Sequence, residues 1–483
     1  MENQNQPIPV SNTFPAQADS GLAPIQSQGN YQSTQTPPTP PKKGKISKKA
    51  FVIIGIIILL LVVFLAVFSF VIPRFMGDNE VSITWWGLWE DESLIAPVIL
   101  DYEAANPNIK ITYVKQSKQD YRDRLVSAIA QRGGPDIFRF HNSWVPMLAG
   151  SLSPAPKDIV EPSVFAETFY PVMATDLLSS LGGALGMPLE YDAITLYIND
   201  DIFVNSGKQP PKTWDELRTL ARELTVKDER GVITQSGAAL GETSNIDHWQ
   251  EILALMMIQN RASLSNPTGE LAEAALQYYT LFSASDGVWD NTLPTSTIAF
   301  ANGKVAMYFG PSWRAFEINQ QNPDLNYRTL PVPQLPRENP TDPSISYASY
   351  WVEGVSSKSN EKIESWRFLR YLSQSATLEK LYAEASTVRG FGEPYPRVDM
   401  ADLLTNHPVL GSIINLAPSA KSWYLHSRTY DGPTGINSQL STYFEDAVNS
   451  VISSSGAFNV KSALETAALG VNQVLSQYTS GQQ

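Results

Sequence analysis

The sequence predicts an α/β fold preceded by one transmembrane helix. Three observations carry that expectation. Strand-like and helix-like patterns alternate from residue 81 onward, in the order that builds a parallel sheet with crossover helices. An uninterrupted apolar run stands before them. The length, 483 residues, exceeds one ordinary domain and implies two or three globular units.

Hydrophobic content of 43% and charge of 17% suit a folded chain with a large core. The net charge of −13 argues against nucleic acid as a partner, because neutralising phosphates needs a basic face. There is no cysteine, which excludes disulfides, thiolate nucleophiles, cysteine-ligated metals and lipid attachment through cysteine. The four histidines, His141, His248, His407 and His426, lie too far apart to form a metal-ligand spacing, and no metal or cofactor is expected. Tryptophan is unusually frequent, at 11 residues.

Residues 1–41 are rich in Pro, Gln, Ser, Thr and Asn and hold too little apolar surface to fold, so residues 1–49 read as a disordered head. Lys42, Lys43, Lys45, Lys48 and Lys49 follow, and then Ala50 to Ile72 run almost wholly as Phe, Val, Ile and Leu. At about 1.5 Å per residue that run matches a hydrocarbon core of about 30 Å. Five lysines before the run against Arg74 after it place the head in the cytoplasm and the remainder outside the cell membrane, as a single-pass protein. The run is too long for the apolar core of a cleaved signal peptide and no small-residue cleavage site follows, so residues 50–72 are expected to be an uncleaved signal anchor.

The stretch Val81 to Glu90 reads as a strand opening into a loop with tryptophans. Asp91-Glu92-Ser93 starts a helix whose apolar face is Leu94, Ile95, Val98, Ile99 and Tyr102, ending at Asn106-Pro107. Ile109, Ile111 and Tyr113 alternate as a second strand. Tyr121, Leu125, Ala128 and Ile129 line a second helix. Asp136 to Phe140 form a third strand. In an open parallel sheet ligands lie beyond the carboxyl ends of the strands. Two loops there combine aromatic and hydrogen-bonding side chains: Trp86, Trp89 and Glu90, and His141, Asn142, Ser143 and Trp144. Further on, Ile194 to Asn199 alternate as a strand, Thr213 and Glu216 form a capping box, and helical patterns occupy 245–260, 268–284 and 295–302. Residues 305–309 read as a buried strand, 347–355 as an aromatic-rich one, and 360–385 and 437–478 as mostly helix.

Several segments, in this order, resemble a known family: Tyr197 to Phe203 before the Thr213 helix, Phe300 to Met307 with Gly310-Pro311-Ser312-Trp313, and Val355 to Ser359 before the Trp366 helix. The resemblance spans roughly residues 80–480 and is to the extracellular solute-binding proteins of ABC importers, in the sugar-binding branch that includes maltose-binding protein. It implies a two-lobed periplasmic-binding-protein-like fold with hinge strands, lobe one from 80–192 with 333–373 and lobe two from 194–332 with 374–483. It implies further binding positions at Glu190, Tyr191 and Asp192 in the hinge, His248 or Trp249, Trp313, and Tyr350, Trp351 and Glu353, with Arg389, Tyr424 and Tyr443 as lesser candidates. The family usually arrives by a cleaved signal or a lipidated cysteine, and this chain departs from that.

The chemistry agrees with the resemblance. Flat Trp and Tyr rings cover the C–H face of a sugar, while Asp, Glu, Asn and His take its hydroxyls. Few cations in the set favour a neutral carbohydrate over an amino acid or phosphate. The expected protein captures an oligosaccharide by hinge closure and delivers it to ABC permease subunits in the membrane. Two other readings stay open at this point: a peptide or cell-wall-fragment receptor of the same fold, and a glycoside hydrolase using two of Glu190, Asp192 and Glu353.

Overall fold

A computed structural model describes residues 48–66, 80–180, 182–336, 339, 341–453 and 460–479. The chain divides into two compact units, Met1–Gly77 and Asp78–Gln483. In the first, the helix Lys48–Ala66 leaves its aliphatic side chains from Val52 to Leu65 exposed, apart from those not described. Nineteen residues at about 1.5 Å each reach about 28 Å, slightly less than a bilayer core. Among the described residues no helix is long and apolar enough to cross a membrane. The expected head up to residue 47 and the end of the expected span, residues 67–72, lie outside the described residues.

The second unit is built on two sheets. Its described strands are β1 (Val81–Gly87), β2 (Ile109–Lys115), β3 (Ile137–His141), β4 (Met187–Pro188), β5 (Thr195–Asn199), β6 (Val226–Lys227), β7 (Ile233–Ala238), β8 (Val305–Gly310), β9 (Tyr327–Leu330) and β10 (Trp351–Val355). One sheet has the order β2-β1-β3-β10-β4 and the other β6-β7-β8-β5-β9. The expected parallel order holds for β1 with β2 and β3. The sheets as wholes are mixed: β10 runs antiparallel to β3 and β4, and β5 antiparallel to β8 and β9.

Local sequence explains the elements that place the site. In β1 the two-residue period turns Ile83 and Trp85 inward and leaves Ser82 exposed. The helix Glu92–Ala105 buries Ile95, Val98, Ile99 and Tyr102, three or four positions apart, against that sheet. The helix Trp214–Glu223 starts on the Thr213/Glu216 capping box, both halves of which form. Gly237 lets this helix touch β7, because a Cβ there would stand 2.0 Å from the Ala221 carbonyl oxygen.

The chain crosses between sheets where Asp192 to Ile194 run beside Tyr347 to Ser349. Ile194 N donates to Tyr347 O at 3.0 Å, Ser349 N donates to Asp192 O at 2.9 Å, and Ala193 bridges Ala348. The first crossing lies at the segment expected as a hinge, Glu190 to Asp192; the second falls inside 333–373, the stretch assigned to lobe one, and residues before it pack on the second sheet's side, where Gln259 Nε2 donates to Pro333 O and Ile345 O. A further expected boundary moves too. The helix Ser375–Ser386, assigned to lobe two from the resemblance, packs on Glu92–Ala105 beside the first sheet, with Lys380 Nζ 2.6 Å from Asp101 Oδ2. The stretch after it stays on that side, since Tyr191 N donates to Pro394 O and Tyr170 N to Pro396 O.

Candidate ligand-binding site

A cavity of about 330 Å³ opens beside the hinge crossings and takes its walls from both sheets' sides. Trp89 follows β1, Trp351 begins β10, and Trp313 follows β8 at the start of the helix Arg314–Gln321. Trp89 and Trp351 meet edge to face at 5.4 Å, and Trp89 also faces Tyr430 at 5.8 Å. Trp313 stands at 73° to His248 and carries the Arg314 guanidinium 4.4 Å from its ring centre. Glu190 and Asp192 supply carboxylates and Ser349 a hydroxyl. Trp89, Trp313, Trp351, Glu190 and Asp192, named from the sequence, are therefore brought to one cavity.

The remaining expected residues stand behind it. β1 continues to Gly87, so Trp86 belongs to the strand and packs partly buried beside the core instead of lying past the strand's end. Glu90 is held by Arg139 Nη1 at 2.6 Å, and Glu353 by Arg139 Nε at 2.6 Å and Trp85 Nε1 at 2.9 Å. This buried knot locks β1, β3 and β10 together. Glu353, 1% exposed, therefore does not pair with Glu190 across a cavity as a hydrolase would need. Tyr191 and Trp144 are wholly buried, and Trp144 supports Trp351 from behind at 5.5 Å. Tyr350 donates to Asp176 Oδ2 at 2.8 Å, and Asn142 donates to the same oxygen at 3.0 Å.

His141 sits between Ser143 Oγ at 2.7 Å and Ser349 Oγ at 3.1 Å, with His426 4.8 Å away across the rings. Burial, then the neighbouring His426, push its imidazole well below the ordinary histidine range, so it is neutral and serves Ser349 at the cavity edge. His248 is likewise buried. Arg314 Nε can only donate, so His248 Nε2 accepts at 2.8 Å; its Nδ1–H then donates to Ser427 Oγ, which donates to Glu251 Oε1 at 2.8 Å. The serine proton already points to Glu251 and both imidazole nitrogens are engaged, so this Ser-His-Glu grouping is a brace and not a nucleophile. Trp249 lies buried on the helix Trp249–Gln259 and lines a different cavity. Of the lesser candidates, Arg389 lines the 330 Å³ cavity, while Tyr424 packs on Trp423 and Tyr443 lies against Gly470.

Burial raises the Glu190 carboxyl well above the usual range, Glu393 adding to the shift and Arg139 opposing it. Burial raises Asp192 to about 7 against the bonds it accepts from Ser312 N, Ala193 N and Ser312 Oγ. Those bonds strap the hinge to the exit of β8, so Asp192 is tied to the fold as well as facing the cavity. Oxygens of Glu90, Glu190 and Glu393 lie within 4.8 Å of one another. Arg139 holds Glu90 and Arg389 holds Glu393 at 2.6 Å, so two of the three carboxylates are already ion-paired.

Sequence reading missed Lys118, Phe316, Glu317, Ser349, Glu393, Arg428 and Tyr430 on the cavity wall. Phe316 and Glu317 had a readable signal, being three and four positions past Trp313 at the start of a helix. Tyr430 had none: it is an isolated loop aromatic with a left-handed backbone, φ 55°. Three cations, Lys118, Arg389 and Arg428, face the cavity, which corrects the expectation of few cations.

Two mixed sheets joined by paired hinge crossings, with an aromatic cavity beside the crossings, define a two-lobed ligand-binding protein. The chain belongs to the bacterial extracellular solute-binding proteins, whose family profile matches residues 98–448. That is a family of binding proteins and not of enzymes. The fold is shared by the sugar-binding protein MalE of Xanthomonas citri, with 19% identity and a TM-score of 0.66 over 83% of this chain and 100% of that one. It is also shared by an ABC transporter solute-binding protein of Thermotoga lettingae bound with α-D-tagatose, with 22% identity and a TM-score of 0.61 over 82% and 100%. A Brucella abortus relative, named only as a putative binding protein, is 23% identical over 338 residues, 66% of this chain and 77% of that protein.

Proposed function

We propose that this chain is a membrane-anchored extracytoplasmic receptor that captures a carbohydrate in the Trp89–Trp313–Trp351 cavity by hinge closure and hands it to an ABC permease. The observation that carries this is the meeting of three tryptophans from three separate segments around hydrogen-bonding groups in one cavity. Flat rings take a sugar's C–H faces; Glu190, Asp192 and Ser349 take its hydroxyls. Sugar ligands in the names of similar proteins support the same reading. The apolar run from Ala50 to Ile72, with its lysine flank, serves as the signal anchor that keeps the receptor beside its permease.

The test is titration of residues 78–483 with neutral oligosaccharides, read by tryptophan fluorescence. Saturable quenching or enhancement with one of them is the expected result. A response to peptides and to no saccharide would defeat it. A second reading, a receptor for a peptide or cell-wall fragment, is favoured by one observation: Lys118, Arg389 and Arg428 face the same cavity as four carboxylates, Glu190, Asp192, Glu317 and Glu393, a pattern that also suits a zwitterionic ligand.

A further inference from the structure

A second cavity of about 540 Å³ lies on the other side of the segment carrying Arg428 and Tyr430. Both residues belong to the walls of both cavities. The second space is lined by hydroxyls, among them Thr243, Ser244, Thr295, Ser438, Ser441 and Thr442, and by Trp249. Beside it, the Gln250 Oε1 atom finds no hydrogen-bond partner among the described residues. A polar, aromatic-floored space of this kind suits further polyol units, but the Arg428–Tyr430 segment stands between it and the tryptophan cavity.

The segment is firmly rooted. Ser427 is bound to His248 and Glu251, and Arg428 Nη2 to Asp247 Oδ1 at 3.2 Å. Beyond it, Asp431 accepts from Asn437 N at 2.8 Å and Ser438 Oγ at 2.7 Å, packed so closely that a Cβ on Gly435 would stand 2.0 Å from its carboxyl carbon. Arg428, Tyr430 and Gly432 all take positive φ, which turns the Tyr430 ring out of its own loop. The ring then lies 5.8 Å from Trp89, with Lys118 Nζ 5.0 Å from its centre.

We propose that Tyr430 is a length-selecting partition: its ring closes the tryptophan cavity against the hydroxyl-lined one and limits the bound saccharide to a short chain. The inference rests on the carbohydrate reading above. The 330 Å³ cavity lies near the lower end of the range of about 300–1,000 Å³ for small-molecule sites, room for about one or two sugar rings. With the ring removed, the two spaces join and a longer chain can run from one to the other.

The experiment titrates residues 78–483, as parent, Tyr430→Ala and Tyr430→Phe, with ladders of linear glucose-, mannose- and galactose-built oligosaccharides of increasing length. Each ladder yields the ratio of the Kd of the shortest chain that binds to that of the longest. The parent is expected to gain less than threefold along its preferred ladder, Tyr430→Ala more than threefold over the parent, and Tyr430→Phe to match the parent because the ring remains. A parent that already gains more than threefold with length, or a Tyr430→Ala ratio within threefold of the parent, overturns the partition while leaving carbohydrate capture standing. Binding to no ladder by the parent overturns both. Thermal melting of each variant separates a failed fold, and Tyr430→Phe keeps the comparison available if Tyr430→Ala does not fold: a phenylalanine ratio more than threefold from the parent also overturns the proposal.

Discussion

Trp351 touches more of the cavity's aromatic frame than its neighbours in sequence do, meeting Trp89 at 5.4 Å, Trp144 at 5.5 Å and His141 at 5.2 Å. An aromatic contact adds about 0.5–1.5 kcal/mol beyond buried area, so Trp351→Ala should weaken saccharide binding by about tenfold or more and, through its lost contacts to Trp89, Trp144 and His141, also lower the melting temperature. Unchanged affinity by fluorescence or calorimetry would remove Trp351 from the site. Glu353, two positions on, should behave differently. Glu353→Gln unpairs part of the Arg139 knot and should cost about 3–5 kcal/mol of unfolding free energy in denaturant titration, while folded protein keeps its affinity. Asp192 gives a pH signature. Its folded pKa, about 7, stands above the ordinary carboxylate value, so between about pH 4 and 7 the folded state binds more protons than the unfolded one. Its contribution is fully present below that window and is lost as pH rises through 7. Asp192→Asn should remove this slope from a plot of stability against pH; a variant whose slope equals the parent's would refute the assignment. At this scale the sequence told residue types well and orientation poorly. Tyr350 and Trp351 are adjacent aromatics, yet one binds Asp176 behind the cavity and the other lines it, because Tyr350 stands just before β10 while Trp351 opens that strand, in a register set opposite His141 of distant β3.

Elements were legible where the signal is local. The capping box at Thr213, the break at Asn106-Pro107 and the alternation in β1 and β2 depend on residues within one turn or one strand, and the structure forms all of them. Two-residue β4 and β6 carry no period to read, and β7 and β9 were missed as well. The antiparallel direction of β10 depends on where the chain returns, which no window of sequence contains. The boundary at 373/374 failed for the same reason: what fixes Ser375–Ser386 is its contact with a helix that begins at Glu92. Thr213→Ala should cost about 1 kcal/mol by loss of the cap. Gly237→Ala should cost about 1–3 kcal/mol, since the new methyl meets backbone that cannot step aside. A Gly237→Ala variant as stable as the parent in urea would show that helix and strand separate more easily than their packing implies.

At the scale of the whole molecule, paired crossings at Asp192–Ile194 and Tyr347–Ser349 form the narrow link on which the lobes are expected to turn. Small-angle scattering of residues 78–483 should show a smaller radius of gyration when saturating saccharide is added, because contacts from both sides of the cavity favour the closed form. Superimposable profiles would remove hinge closure from the mechanism. The bilobal plan was legible because ordered segments from Tyr197 to Trp366 resembled a family. The cavity's far wall was not, since Tyr430 reaches it only through a loop set by side-chain caps and positive φ.

The bond from Trp85 to Glu353 joins positions 268 residues apart. During vectorial synthesis, the first strands therefore leave the ribosome long before the strand that completes their sheet. Until β10 arrives, β3 presents an unpaired, apolar edge, the kind that invites pairing with another chain. Such late closure makes folding slow at any given stability.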